Sequence, residues 1–330
     1  MKRFSQVFKV SLLLIVALTF VQCGKGCGKK PEGVGQPAKG ISYISKDANF
    51  VLSGNWKKIL TSPFGAQITT QMPEQVKQIS DKVESFYVFL NFKGPGIEPK
   101  PAVLLTGSFE EAAILNSIRD MAQKSGGEVT SQEHGGKKIY TNSKKPNEGF
   151  AILDANNVVI GDTSSVQATI DTAGKKAESI EANGDMMNLI KGMNKEKMVW
   201  GVSKIPAGAI PEDPAGGANN PLADLNKVSA IDFALDFTAD KFMLDVGALT
   251  ANEDSAKKIV GSINTFITMI GAAMAQQDPN MDKLLKGLTI GSTKDRITLS
   301  LNVDKATIEA LSQKAIPPKG NEEPPPVPVQ

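Results

Sequence analysis

Residues 231–254 read IDFALDFTADKFMLDVGALTANED. Ile231, Phe233, Leu235 and Phe237 alternate with Asp232, Ala234 and Asp236, and after a turn at Ala239-Asp240 the alternation resumes with Phe242, Leu244, Val246 and Ala248. An apolar period of two with polar residues between is the pattern of a half-solvated strand, and two such runs across a short polar turn predict an antiparallel hairpin. Thr250 and Glu253 then have the spacing of a capping box, and residues 254–276 predict a long helix.

The same order of strand, turn, strand and helix can be traced three more times. Residues 86–92 and 102–106 predict two strands, followed by a helix over 109–122 with a capping box at Ser108 and Glu111. Residues 150–153 and 158–160 flank a turn at Ala155-Asn156-Asn157, with Thr163 or Ser164 capping the next helix. Residues 288–291 and the strand bearing Ile297, Leu299, Leu301 and Val303 flank a turn at 293–295, before a helix over 304–314. Four such units imply an α+β fold, with antiparallel sheets built from repeated strand-strand-helix units and helices covering one face.

Between the second and third units, residues 205–222 (IPAGAIPEDPAGGANNPL) hold four prolines and three glycines. They are read as a linker between a first half, 41–204, and a second half, 223–316. Residues 317–330 form a proline-rich tail, and residues 23–40, rich in glycine with almost no apolar side chain, read as a tether.

The chain opens MKRFSQVFKVSLLLIVALTFVQC. A basic start and an apolar run over residues 10–21 make a leader, because a dozen residues are too few to cross a bilayer that needs roughly 20. Residues 18–23, LTFVQC, resemble the lipobox of bacterial lipoproteins, with Phe20 and Gln22 departing from its commonest residues. The resemblance implies removal of residues 1–22 and lipidation of Cys23, which makes the membrane a partner through that lipid. An ordinary secretory leader, with Cys23 and Cys27 paired, is the alternative. Gly24 carries no acidic retention signal, so the expected location is the cell envelope, at the outer rather than the inner membrane. The stretch 41–65 is loosely similar to exported bacterial proteins of unknown function, a resemblance that supplies no site residues.

Loss of the leader takes Lys2, Arg3 and Lys9 from the 37 basic residues, leaving 34 against 35 acids. That balance argues against a nucleic-acid partner, which needs clustered cations. One histidine, His134, stands in a turn, and both cysteines lie in the tether. No metal site or cofactor is therefore expected, no residue is assigned a catalytic role, and the chain is read as non-enzymatic. Asp232, Asp236 and Asp245 share the polar side of the 231–248 hairpin and leave a carboxylate-only hydrolase as a third reading.

Two apolar features could serve binding. The run Phe86-Tyr87-Val88-Phe89-Leu90 is apolar on both sides, and the long helix carries Phe266 and Ile270 in a broad stripe. Phe86, Tyr87, Phe89, Phe266 and Ile270 are the candidate ligand-binding residues, with a central strand and a core helix as the plainer account. The expected function is a lipid-anchored binding or assembly module for an envelope protein, or alternatively a carrier of a lipid or other apolar ligand.

Overall fold

The strand that is apolar on both sides lies deep in the sheet. The computed structural model describes residues 40–62, 65–72, 74–94, 97–209 and 223–315. In β2 (Val83–Leu90), Phe86 and Val88 point to one face, Tyr87 and Phe89 to the other, and all four are buried. Two buried faces require two covering layers, so β2 is an inner strand, between β1 (Phe50–Asn55) and β3 (Ala102–Gly107).

Nine further strands extend that trio: β4 (Val129–His134), β5 (Lys137–Asn142), β6 (Lys145–Asp154), β7 (Asn157–Asp162), β8 (Val199–Lys204), β9 (Val228–Phe237), β10 (Lys241–Thr250), β11 (Leu288–Thr293) and β12 (Arg296–Asp304). They form one twelve-stranded sheet in the order β11-β12-β10-β9-β8-β1-β2-β3-β7-β6-β5-β4, antiparallel at every step. The four expected hairpin-helix units are present, and the α+β class holds. β8 and β9, on either side of the expected linker, are hydrogen-bonded neighbours from Val199↔Leu235 to Lys204↔Ala230, so the two halves share one sheet. Residues 210–222 of that linker lie outside the described residues, as do the leader, the lipidated cysteine, the tether up to residue 39 and the tail. Gly40, expected in the tether, is instead buried against the Tyr87 ring.

The helices are α1 (Trp56–Thr61), α2 (Gly65–Gln71), α3 (Glu74–Ser80), α4 (Glu111–Lys124), α5 (Thr163–Ala173), α6 (Gly184–Gly192), α7 (Glu253–Gln277), α8 (Pro279–Lys286) and α9 (Lys305–Ala315). In the first half they cover both faces, which corrects the expectation of one covered face. On the front, Leu52, Phe86, Val88 and Val158 pack with Trp56 and Ile59 of α1 and Ile114 of α4. On the back, Val51, Tyr87, Leu104 and Trp200 pack with Val166 and Ile170 of α5 and Met186 and Ile190 of α6. The second half keeps the expected arrangement. Ala256 and Ile259 of α7 pack on the front face against Ile297, Ala248 and Ile231, while Asp245, Thr289, Thr298, Ser300 and Asn302 stand exposed on the back.

Two expected caps are replaced by neighbours, and a third does not form. Asn252, not Thr250, caps α7, because its Oδ1 accepts from the Ser255 amide while Thr250 Oγ1 donates to the Asn252 and Asp295 carbonyls. Asp162 caps α5 through the Ser164 amide. The box at Ser108 and Glu111 does not form, since α4 starts two residues later than expected, with Glu110 at its cap position and no side-chain bond there. β4 and β5, on either side of the turn expected at His134, are a hairpin closed by Gly135 and Gly136 at positive φ of 60° and 79°. Its His134 is half-buried, with Nε2 3.0 Å from the Asp171 carboxylate near the end of α5, rather than a free turn side chain.

Candidate functional site

The sequence-chosen apolar residues do not converge. Phe86, Tyr87 and Phe89 are 4%, 2% and 5% exposed, and each is spent on packing within the first half. Phe86 meets the Trp56 ring edge-on at 6.1 Å, and Tyr87 meets Trp200 edge-on at 6.5 Å. Burial pushes the Tyr87 hydroxyl up in pKa, with Ser53 beside it acting in the opposite direction. β2 is four strands from β10, roughly 19 Å at the usual strand spacing, whereas Phe266 sits on α7 over the other half. Ile270 is on the same helix, and its side chain lies outside the described residues.

Around Phe266 the geometry is different. The front face of β9, β10, β12 and β11 carries an apolar layer that includes Phe233, Phe237, Phe242, Leu244, Leu299 and Leu301, yet all six are only half-buried. The Phe237 and Phe242 rings meet at a tilt of 50° with their centroids 4.8 Å apart. α7 is held down at its first turns, where Ala256 is 0% and Ile259 2% exposed. Phe266 comes seven residues after Ile259, two turns along and on the same side of the helix, so it should be equally covered. It is 40% exposed, and Met269 is 67% exposed, so the helix runs beyond the surface that buries its start. This half-covered layer with its overhanging helix is the candidate site. Its signal in the sequence was the stripe that named Phe266; the share of the sheet face left uncovered had none.

The three carboxylates of the hairpin share the back face as expected, but each has a separate partner. Asp232 takes both its bonds from Arg296 Nη2 at 2.7 Å. Asp236 lies 3.8 Å from Lys197 Nζ, and Asp245 accepts from Ser300 Oγ at 2.8 Å. Two acids facing each other across a sugar ring are what glycosidase chemistry needs, and these three are instead divided among a guanidinium, an ammonium and a hydroxyl. Among the described residues no cluster of three His, Cys, Asp or Glu side chains could hold a metal. Nor, among them, is any helix long and apolar enough to cross a membrane.

The class this fold defines is an α+β protein built on one broad antiparallel sheet with helices layered unequally on its faces. No protein family matches the chain, and no curated protein does. The chain is similar to solved structures of TP0453. Crystal form I aligns with a TM-score of 0.49 at 12% identity over 84% of this chain and 96% of that one. Form III gives 0.49, 12%, 84% and 97%, and form IV gives 0.46, 14%, 83% and 95%.

Proposed function

We propose that this protein is a lipid-anchored, non-enzymatic binding module of a bacterial envelope, held through Cys23, whose ligand is a lipid acyl chain taken up against the front face of β9–β12 under α7. One observation carries the reading: Phe266 and Met269 are exposed on a helix whose first turns are tightly buried, over an apolar sheet layer that stays half-covered. Leaving such residues in water forgoes about 1.5–3 kcal/mol for each large side chain that could be fully buried. An apolar ligand would recover part of that. The non-enzymatic part draws support from the separate pairing of Asp232, Asp236 and Asp245.

Two measurements test it. A soluble form starting at Gly28, purified and examined by native mass spectrometry, should carry phospholipid or fatty acid, and Phe266→Ser with Met269→Ser should strip that lipid while the protein stays folded. A protein that comes out empty in both forms would remove the ligand reading. Separately, Cys23→Ser in the full chain should move the protein from the membrane fraction to the soluble one, and retention on the membrane would remove the anchor.

A further inference from the structure

A second site lies on the opposite face of the same half. α6 covers the back of β8 and then ends, and among the described residues no helix follows it over β10 and β12. The step leaves a cleft of about 720 Å³ between the sheet and Asp185, Asn188 and Leu189 of α6, with Met193 just past the end of that helix. That volume falls in the range of roughly 300–1,000 Å³ typical of small-molecule sites.

The floor of the cleft follows from strand register. Lys204 pairs with Ala230, Ala230 with Leu249, and Leu249 with Arg296, so these four residues form one rung across β8, β9, β10 and β12. The rung has a cation at each end and two short apolar side chains between. Its ends are three strands apart, roughly 14 Å at the backbone, and both long side chains line the same cleft. Between them lies the apolar floor of Ala230 and Leu249.

The two cations are held differently. Arg296 is fixed: Nη2 binds both oxygens of Asp232, which is 7% exposed, and the guanidinium lies across Gly247, where a Cβ would come within 2.2 Å of Nη2. Only one of its nitrogens is used, and among the described residues Nη1 and Nε have no other partner. A guanidinium oriented from one side by a buried carboxylate presents its remaining donors as a planar fork suited to a second oxyanion. Lys204 is exchangeable: its 2.6 Å bond to Asp185 joins side chains 41% and 74% exposed, and such exposed pairs contribute little in water.

We propose that this cleft binds a small molecule bearing an oxyanion, a phosphate monoester or a carboxylate, with Arg296 as the fixed anchor and Lys204 swinging from Asp185 to the ligand. Ala230, Leu249, Leu189 and Met193 would take the organic part. The site is on the other side of the sheet from the acyl-chain layer and does not depend on it.

The test is calorimetric titration of the full chain in detergent with glycerol phosphate, succinate and a short-chain phosphatidylglycerol. At least one probe should saturate. Lys204→Gln should weaken it several-fold, and Arg296→Lys, which keeps the charge and loses the fork, by about tenfold or more. Because Arg296→Gln alone strands a buried carboxylate, it is paired with Asp232→Asn, and circular dichroism confirms that the double variant is folded; binding should then be lost. Saturation by glycerol phosphate or succinate assigns a soluble ligand, and saturation by the phosphatidylglycerol alone assigns a lipid headgroup. No saturation by any probe, or binding unchanged in Lys204→Gln and Arg296→Lys, overturns the proposal.

Discussion

The two halves of the sheet are built from the same kind of unit and finished differently. Around β1, β2 and β3 helices close both faces, and Trp200, Leu104, Val51 and Ile139 are sealed at 1% exposure or less. Over β9 to β12 helices close the front incompletely, the back of β10, β12 and β11 is largely solvated, and no apolar side chain on the four strands falls below 5%: Val228, Ala230 and Val303 reach 5%, and Ala234 and Ile297 6%. The same alternation in sequence thus yields a closed core in one place and two accessible faces in the other. What separates them is which connections carry helices: the first half places α5 and α6 on the back, and the described helices of the second half return to the front.

That contrast sets an order of expected effects. Trp200→Ala opens a cavity in the closed half and should cost about 3–5 kcal/mol, read as a lower urea midpoint. Leu299→Ala on the half-covered front should cost about 1–2 kcal/mol, since much of that side chain's burial is already missing. Both should shift one common transition, because β8 and β9 join the halves; two separated transitions would break the picture of a single sheet. Gly247→Ala should fall between, at about 1–3 kcal/mol, by pushing Arg296 off Asp232. If it leaves stability unchanged, the guanidinium is not fixed there.

The smallest effect belongs to the closed half's surface. Partial burial of Asp154 raises its carboxyl pKa, but the Asn156 amide at 2.8 Å, the Asn157 side chain and the Tyr43 hydroxyl at 3.0 Å outweigh it and hold the group below its ordinary value. A group with a lowered folded pKa stabilises where it is ionised, above the ordinary carboxylate value of about 4, and loses that contribution as pH falls through the folded value. The stability advantage of wild type over Asp154→Asn should therefore be present at neutral pH and vanish in acid. An advantage that survives at low pH would locate the effect in packing.

Much of the fold could be read from the chain because apolar alternation survives without tertiary context. The hairpin at 231–248 and the inner position of residues 86–90 are examples. β4 and β5 escaped because VTSQEH and KKIYTN are mostly polar: only Ile139 of the pair is buried, so the alternation has little amplitude. Helix caps shifted by one or two residues because Asn252 and Asp162 are cap formers standing beside threonines and serines of the same kind, and Thr250 is engaged with carbonyls instead. Of the candidate site, the stripe on α7 was legible and the exposure of Phe266 was not, since it depends on where the sheet beneath stops. The cleft had no local sign at all: Asp232 and Arg296 are 64 positions apart, and Lys204 meets them only through strand order.

The place of β1 in the sheet also bears on folding. β1 is bonded on one side to β2 and on the other to β8, where Phe50 faces Ser203. Its second edge therefore stays open until a segment about 150 residues later arrives, and contacts of such long sequence separation slow the search for the native state. Until then Val51 and Leu52 have only one neighbouring strand.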